Sequence, residues 1–353
     1  MPEQLDAAPF LDDCLAAGFA LAGVAAATPP PHGEAVGQWI ADGMHGSMGW
    51  MARHQDVRSD PALLLEGARS IICVADRYEP PEPTEQGGGR IAAYARGRDY
   101  HRVIRKRLHG LADRWRARCE GADFRVCVDT APLLERPVAE AAGLGRVGKN
   151  TLLIDPGIGS WMLLGEVVTT LSIATTPGGG GDPCGTCTRC IDACPTQALS
   201  PWKLDARVCI SALTIEHRET IPAAMHAGIG DWLFGCDVCQ TVCPHNAPTL
   251  RTRQTPVHDE YAPRFTSWDV ASVLDWGAEA RLKTAAGTPT MRATLDMIRR
   301  NACIVAGGMV ERQPGSPLAS RLRAIASDAA EPEMVRDAAA AAITRADGGR
   351  AGR

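Results

Sequence analysis

Apolar and polar positions follow two different rhythms along this chain of 353 residues. Short apolar runs at 19–24, 70–74 and 124–128 are typical of strands, and longer segments with helical spacing separate them. A further apolar stretch at 160–174 predicts one more strand. Because strands that alternate with helices indicate a layered sheet, we predict an α/β domain over residues 1–172.

The pattern becomes entirely helical toward the C-terminus. Segments 291–307 and 319–343 place apolar residues at helical spacing and contain many alanines. Pro332 predicts a break that divides the second segment into two helices. We therefore predict that residues 251–353 form antiparallel helix pairs similar to a short α-helical repeat module.

Residues 173–250, between these two parts, are dominated by cysteine. A glycine-rich linker at 177–183 leads into Cys184-x2-Cys187-x2-Cys190-x3-Cys194-Pro195, then Cys209, then Cys236-x2-Cys239-x3-Cys243-Pro244. The first run has the ligand spacing of a bacterial ferredoxin that holds two 4Fe-4S clusters. The eight cysteines therefore predict single-electron transfer, in a segment whose folding depends on metal–thiolate bonds.

The spacing also assigns each cysteine to a cluster. A tight loop with two residues between ligands can hold three corners of one cluster, whereas the displaced fourth cysteine, followed by proline, reaches the other cluster. The first cluster is thus predicted on Cys184, Cys187, Cys190 and Cys243, and the second on Cys194, Cys209, Cys236 and Cys239. Two alternatives are a structural zinc site and a disulfide framework.

Composition narrows the class of protein. A hydrophobic content of 45% is ordinary for a soluble globular chain, and no stretch approaches the roughly 20 apolar residues of a membrane span. The N-terminus lacks a secretory or twin-arginine leader, so we expect a cytoplasmic protein. The formal net charge of −4 gives no global sign of nucleic-acid binding, and an RNA-binding surface would have to be local.

Two segments of the N-terminal part combine features of ligand-binding loops. Residues 42–53 (DGMHGSMGWMAR) join glycines to methionine and tryptophan, as in an apolar wall beside a ligand or a loop before a buried helix. Residues 94–106 (YARGRDYHRVIRK) form a basic patch with two tyrosines, which is also typical of a solvated helix face.

Two later segments place polar residues at element boundaries. In residues 126–136 (VCVDTAPLLER), Asp129 follows an apolar strand, where α/β domains place ligands, although a helix N-cap needs the same residue. Residues 142–151 (AGLGRVGKNT) resemble a phosphate-binding turn. They lack both the P-loop spacing and the GxGxxG pattern, so support for a nucleotide site is weak.

These segments occur in order with GSWMLLGE, CISALTIE, GDWLFGCDVCQTVCP and GTPTMRATLDMIRRNACIV. Together they resemble the epoxyqueuosine reductase family of queuosine biosynthesis over about residues 20–310. That family is similar in its core to reductive dehalogenases. Arg146 and Ala131 depart from the tryptophan and glycine common in relatives, and the DxHxxG motif of cobalamin-binding proteins is missing.

The resemblance implies a multi-domain α+β or α/β architecture. It comprises a nitroreductase-like cobalamin-binding domain at 1–172, a ferredoxin-type domain with two 4Fe-4S clusters at 173–250, and a HEAT-like tRNA-binding module at 251–353. The implied activity is reduction of epoxyqueuosine to queuosine at the wobble position of GUN anticodons. Base-off cobalamin, cycled between cob(II)alamin and cob(I)alamin, would receive electrons singly from the clusters.

The resemblance also implies the residues and partners of the reaction. Asp129 falls at the general acid, and the candidate cofactor contacts are Arg53, Asp129, Ser211, Asp237 and Val238. The implied partners are the tRNA anticodon stem-loop and an external flavodoxin- or ferredoxin-type donor, with the enzyme a monomer that uses no membrane. Arginines of the helical module would suit RNA phosphates: Arg281, Arg292, Arg299 and Arg300.

Proton donation at neutral pH adds one structural expectation. Desolvation beside an apolar corrin raises the pKa of a carboxyl group, so we expect Asp129 to be largely shielded from solvent. Two other functions share the motifs in part. A reductive dehalogenase would also use cobalamin, whereas a ferredoxin-type electron carrier would leave the N-terminal half without a role.

Overall fold

The structure is a computed structural model that describes residues 4–30, 32–80, 88–313 and 315–351. Its N-terminal part contains five helices and seven strands within these ranges. The helices are α1 (Ala8–Ala16), α2 (Gly33–Ala41), α3 (Gln55–Ser59), α4 (Tyr100–Arg118) and α5 (Glu135–Ala141). The strands are β1 (Leu21–Ala26), β2 (Ser70–Arg77), β3 (Gly89–Ile91), β4 (Phe124–Cys127), β5 (Arg146–Val147), β6 (Leu153–Ile154) and β7 (Met162–Thr169).

The middle and C-terminal parts are mainly helical. The middle part contains α6 (Arg189–Asp192), β8 (Leu199–Ser200), β9 (Lys203–Leu204), α7 (Ile210–Ile215), α8 (Ala223–Ile229), β10 (Trp232–Phe234) and α9 (Val238–Thr241). The C-terminal part contains α10 (Leu250–Gln254), β11 (Ser267–Trp268), α11 (Val270–Leu274), α12 (Ala278–Ala285), α13 (Leu295–Arg312), α14 (Pro317–Ser327) and α15 (Glu333–Ala351).

The four apolar stretches predicted as strands form one four-stranded sheet in the order β1-β2-β7-β4. Every neighbouring pair is antiparallel. The carboxyl ends of antiparallel strands do not meet at one edge, so Asp129 does not lie at a common ligand-binding edge of the kind found in parallel α/β sheets. Asp129 still follows the end of β4, because the apolar run that pairs with β7 stops at that point.

Helices cover both faces of this sheet and thereby form two cores. On one face, α4 contributes Ile104, Leu108 and Trp115, none of which exposes any surface. Gly165 of β7 permits this approach, since a Cβ there would lie 2.5 Å from Ile104 Cγ2. On the other face, α5 packs through Val138 and Ala139. The mixed α/β character predicted from the sequence is confirmed.

A second sheet joins all three parts of the chain, because its order β10-β3-β11 takes one strand from each. Residues 210–234 of the middle part share a large apolar core with α11, α13, α14 and α15. This stretch is therefore held by apolar packing, whereas the sequence predicted a segment whose folding depends on metal–thiolate bonds. The cysteine loops themselves remain half-buried.

The C-terminal helices follow the predicted pattern. The break at Pro332 is confirmed, since α14 ends at Ser327 and α15 begins at Glu333. Apolar residues of α13 and α15 face each other in the common core. In the described ranges, no helix combines the length and the apolar character needed to cross a bilayer.

Candidate cluster and cofactor site

The eight cysteines divide between two cavities. Cys184, Cys187, Cys190 and Cys243 line a small cavity together with Arg189 and His245. The other four, Cys194, Cys209, Cys236 and Cys239, lie in the wall of a separate cavity of about 1260 Å³. The two groups of four are the groups predicted from the spacing. The first group combines three closely spaced cysteines with the distant Cys243, and the second combines the pair Cys236 and Cys239 with the distant Cys194 and Cys209.

The glycine-containing segment 142–151 packs against the first group of cysteines. The Lys149 N–H donates to Cys184 Sγ at 3.3 Å, and Lys149 Nζ donates to the carbonyl oxygens of Gly185 at 2.6 Å and Cys187 at 3.1 Å. A Cβ at Gly148 would lie 2.5 Å from Ile154 Cδ1 and 3.3 Å from Cys184 Sγ. The segment that resembled a phosphate loop therefore supports the first cysteine loop.

Local helices position the second group of cysteines. Cys209 is the N-cap residue of α7. Burial raises the pKa of its thiol, and the nearby backbone N–H groups of Ala212 and Ser211 oppose this rise. The Ala198 N–H donates to Cys194 Sγ at 3.3 Å. Backbone N–H groups directed at sulfur favour the thiolate, the form that binds iron.

The chemistry of the donor set fits iron–sulfur clusters. All thirteen cysteines are free of disulfide bonds. Burial raises the pKa of the Cys236 thiol to about 12, so a metal is needed to hold it as a thiolate at neutral pH. In the described part of the chain, no three His, Cys, Asp or Glu side chains converge as they would around a single metal ion. A four-iron cluster instead keeps its four thiolates apart, around its own core.

The larger cavity also collects the candidate cofactor residues. Arg53, Asp129, Ser211, Asp237 and Val238 all line it. Arg53 is exposed, whereas Asp237 is buried and accepts a hydrogen bond from the Ala93 N–H at 2.8 Å. Burial raises the pKa of Asp237 to about 6, against the opposing effects of that N–H and of two arginines. The volume exceeds the roughly 300–1,000 Å³ of drug-sized ligand sites.

Asp129 begins a strained loop in the wall of this cavity. Its φ of 51° is in the left-handed region, which is uncommon for residues other than glycine. Asp129 Oδ2 is 2.9 Å from His101 Nε2. The side chain is 52% exposed, so the expectation of a shielded Asp129 is wrong for this structure. The reason is that the loop points the carboxyl group into an open cavity.

The pKa of Asp129 also departs from the expectation. Partial desolvation by surrounding atoms opposes ionisation, but the hydrogen bond and charge of His101 outweigh it, so the pKa of Asp129 is lowered. His101 in turn has its pKa raised to about 9, because Asp129 and Asp99 outweigh its own desolvation. At neutral pH the resting pair is therefore an aspartate with an imidazolium.

Sequence reasoning did not single out His101. The imidazole lies between two carboxylates, with Nδ1 2.7 Å from Asp99 Oδ1 and Nε2 facing Asp129, and it stacks on Tyr100. Asp99 is also the N-cap of α4, since its side chain accepts the His101 N–H. The sequence signal for this histidine was an aspartate at the start of a helix with histidine two residues later. The second partner of His101, Asp129, is distant in sequence and could not be inferred.

The C-terminal arginines that we assigned to RNA phosphates are mostly engaged within the protein. Arg300 has no exposed surface, and Arg299 is 11% exposed and ion-paired with Glu331. Arg281 donates to the carbonyl oxygens of Met291 and Ala293. The assignment is wrong for Arg299 and Arg300, because their guanidinium groups bond inside the core. Arg292 lines the large cavity and pairs with Glu216 at 2.8 Å.

Arg300 instead fixes the segment that carries Cys209. Its guanidinium donates to the carbonyl oxygens of Leu213, His217 and Glu219 at 2.6–3.0 Å. We expect Arg300→Met to lower the free energy of unfolding by about 2–4 kcal/mol, because it leaves buried carbonyl groups unpaired. Urea unfolding would measure this. Arg323→Met, which removes an exposed ion pair, should cost less than about 1 kcal/mol, and equal losses would contradict the role of Arg300.

Comparison with known proteins connects these features. A family model described as "Epoxyqueuosine reductase QueG, DUF1730" matches residues 58–130, and one described as "4Fe-4S double cluster binding domain" matches residues 183–246. An epoxyqueuosine reductase of Xanthomonas campestris pv. campestris is 42% identical over 79% of each chain. One of Pseudomonas aeruginosa is 38% identical over 82% of each chain.

Solved structures agree with the sequence comparison. An epoxyqueuosine reductase from Bacillus subtilis, with its catalytic aspartate loop swung out of the active site, matches with a TM-score of 0.84. It is 26% identical, and the match covers 96% of this chain and 90% of that one. A reductase structure with an epoxyqueuosine-modified tRNA-Tyr stem loop matches with a TM-score of 0.82, 26% identity and coverage of 96% and 89%.

The fold and the two groups of four cysteines define an iron–sulfur oxidoreductase in which one cluster site opens into a large ligand cavity. Its relatives specify the class further. The chain belongs to the epoxyqueuosine reductase family.

Proposed function

We propose that this protein reduces epoxyqueuosine to queuosine at the wobble position of tRNA, with electrons supplied through two 4Fe-4S clusters and cobalamin. One observation carries the proposal. A single cavity is bordered by Cys194, Cys209, Cys236 and Cys239 and by the Asp129–His101 pair. An electron source and a proton source thus face the same space, as removal of an oxygen atom requires.

The residues of this cavity fit a large planar cofactor. Ser211 lies in the first turn of α7, and Val238 begins α9. These residues line the cavity with Trp50 and Arg53 from the loop before α3, and together they would hold cobalamin. Bound cobalamin would supply a low-valent cobalt able to deliver electrons to the carbon–oxygen bond. Asp237 and Gln240 of the cavity wall each accept a hydrogen bond from the protein, Asp237 from the Ala93 N–H and Gln240 from the Ser160 hydroxyl.

Asp129 and His101 would provide the proton. At rest the proton is on His101, between Asp99 and Asp129, and the pair titrates as a unit. When ligands fill the cavity and exclude water, the charged form of Asp129 becomes less favourable, and the proton can move from His101 Nε2 to Asp129 Oδ2. Asp129 would then donate it to the departing epoxide oxygen, which takes up a second proton from solvent and leaves as water in a net two-electron, two-proton reduction.

The first cluster site would receive electrons from outside. Its cavity is lined by Arg189 and by half-buried cysteines, so an external flavodoxin- or ferredoxin-type donor would dock on this side. The second cluster would pass electrons on to the cofactor. We propose that the enzyme works as a monomer, with residues 1–172 as a nitroreductase-like cofactor domain and 173–250 as a ferredoxin-type domain.

The RNA would lie across the mouth of the large cavity. Residues 251–353, a HEAT-like helical module in this proposal, border the cavity through Pro289 and Arg292. Helix α4 borders the other side and contains seven lysines or arginines but only one acidic residue. Arg102, Arg105, Lys106 and His109 are exposed at helical spacing on one of its faces. We call these four residues the α4 basic stripe.

The α4 basic stripe gives a prediction for RNA binding. Reversing two charges in Arg102→Glu/Lys106→Glu should raise the Kd for an anticodon stem-loop at least about tenfold at low salt, because phosphate contacts are lost. The slope of log K against log salt should also decrease, by about 0.7–0.9 for each lost contact. Fluorescence anisotropy measures both quantities.

A matched control lies at the other end of the same helix. Arg114→Glu/Arg118→Glu reverses two exposed charges with the same spacing, away from the cavity mouth. It should leave the Kd and the salt slope close to those of the unaltered protein. Equal weakening by both double variants would mean that general charge, rather than the α4 basic stripe, governs binding.

The function itself is tested by turnover. The protein, purified anaerobically with reconstituted clusters and cobalamin, is expected to convert epoxyqueuosine to queuosine in a tRNA stem-loop when a reductant is supplied. Nucleoside analysis by mass spectrometry measures the product. Conversion of aryl halides without conversion of epoxyqueuosine would instead indicate a dehalogenase, and cluster reduction without corrinoid binding would indicate an electron carrier.

A further inference from the structure

Two glutamates meet directly behind the Asp129 loop. Glu166 belongs to the interior strand β7, where the register places it between Cys73 of β2 and Cys127 of β4. It has no exposed surface. Glu135, the first residue of α5, faces Glu166 on one side and lines the large cavity on the other. The pair therefore connects the core of the sheet to the candidate active site.

The two carboxyl groups must share a proton. Both oxygens of Glu166 are buried without a hydrogen-bond donor among the described residues, and Glu135 is the neighbour whose charge and hydrogen bonding act on Glu166. Two neighbouring carboxylates, one of them without solvent exposure, cannot readily both be ionised, whereas a protonated Glu166 can donate to Glu135. Burial raises the pKa of Glu166 well above its usual range, and burial with the charge of Asp129 raises the pKa of Glu135 to about 7.

Charged and titratable groups from each neighbouring element act on this pair. The side chains concerned are Arg58 (α3), Cys73 (β2), Tyr100 (α4), Cys127 (β4), Asp129 (the loop after β4) and Arg136 (α5). Arg58 is buried, and its guanidinium lies over the Trp50 ring. Both neighbouring cysteines have raised pKa values because of burial, so they stay neutral. No buried cation among the described residues bonds directly to Glu166.

Glu135 also bonds to the backbone of the candidate general acid. The Asp129 N–H donates to Glu135 Oε1. Asp129 has a positive φ, a conformation that persists only where neighbouring contacts impose it. In the Bacillus subtilis relative the catalytic aspartate loop is swung out of the active site. A hydrogen bond to the backbone of Asp129 itself is therefore a means of selecting the inward position.

We propose that Glu135 and Glu166 are a proton-sharing pair that positions the Asp129 loop in the active site. This inference rests on the proposed function. Glu166 donates to Glu135 and orients it, and Glu135 then holds the Asp129 N–H. The bond is stronger when Glu135 is ionised, because a carboxylate is the better acceptor. Since the pKa of Glu135 is about 7, the inward position is favoured above neutral pH and weakens below it.

Two substitutions of Glu166 separate positioning from mere stability. Glu166→Gln keeps an N–H donor toward Glu135, so kcat should stay within about threefold of the unaltered enzyme. Glu166→Leu removes the donor at similar volume, and kcat should decrease by at least about tenfold, with the KM for the RNA unchanged, because a misplaced catalytic group slows the chemical step. Hydrogen exchange of the Asp129 amide should become faster in Glu166→Leu only.

Substitution of Glu135 tests the electrostatic coupling. Glu135→Gln still offers an oxygen to the Asp129 N–H but removes a negative charge that raises the pKa of Asp129. The alkaline limb of the kcat profile should therefore move to lower pH. Glu140→Gln is the matched control on the same helix, since Glu140 pairs with Arg146 and lies outside the pair. It should leave the pH profile unchanged.

Several results would overturn the inference. A normal kcat in Glu166→Leu would do so, as would an equal decrease of kcat in Glu166→Leu and Glu166→Gln. A pH profile of kcat that is unchanged in Glu135→Gln would also contradict it. Failure of the proposed function has a different signature, since the unaltered enzyme would then not reduce epoxyqueuosine at all. In that case amide exchange at Asp129 still decides whether the pair holds the loop.

Discussion

Asp129→Asn is expected to lower the turnover of epoxyqueuosine by about 10²–10⁴-fold, the usual contribution of a general acid. Asparagine can still accept the hydrogen bond from His101 Nε2 and has nearly the same size, so the cavity and its cofactors should remain intact. It has no proton to give to the departing oxygen. Single-turnover assays with pre-reduced enzyme measure the loss at the chemical step.

Cofactor content is the necessary check on this result. Iron, acid-labile sulfide and the cobalamin absorbance of Asp129→Asn should equal those of the unaltered protein. Asp123→Asn provides a control just before the other end of strand β4, where the side chain is exposed and far from the cavity along the strand. If Asp129→Asn turned over normally with intact cofactors, another group would have to be the acid.

His101 explains why Asp129 cannot be understood from its own surroundings alone. The sequence identified the aspartate, but it predicted a shielded carboxyl group with a raised pKa. The opposite shift, a lowered pKa of Asp129, arises because a histidine from α4, held by Asp99, contacts the Asp129 carboxyl group. Such a contact depends on how α4 packs against the sheet. Periodicity predicts the helix but not which residue at its start faces β4.

The grouping of the cysteines, unlike the surroundings of Asp129, could be predicted from the sequence. The spacing predicted which four of them share a site, and the structure places the same groups around two separate cavities. Short loops allow this, because two or three intervening residues leave few ways to arrange the ligands. The link of Cys209 to distant helices was not predictable. It depends on Arg300, whose arginine-rich surroundings in the sequence suggested a surface residue, although it is fully buried.

The long strands of the fold could be predicted from the sequence, but the way in which they pair could not. All four apolar stretches became strands of one sheet, yet nothing in their pattern distinguished antiparallel from parallel neighbours. The short strands β3, β10 and β11 were missed, since two or three residues carry no periodic signal. They matter because they join the three parts of the chain into one framework around the large cavity.

Cys209→Ser is expected to remove the second cluster and, with it, turnover. Cys209 is the one predicted ligand outside the two tight runs, and it lines the large cavity at the N-terminus of α7. Serine binds iron poorly compared with a thiolate, and a cluster left with three cysteines is readily lost. Iron should decrease from about eight to about four atoms per chain, the content of one cluster.

Spectroscopy and a matched cysteine decide whether the loss is specific. Electron paramagnetic resonance of the reduced protein should show one cluster signal in Cys209→Ser and no magnetic interaction between two. Cys119→Ser changes a half-buried cysteine after α4, outside both cavities, and should retain full iron and activity. Full iron in Cys209→Ser would mean that a different residue completes the second cluster. The segment Ile210–Ile215 would then not be held by the cluster, and its apolar packing together with Arg300 would fix its position.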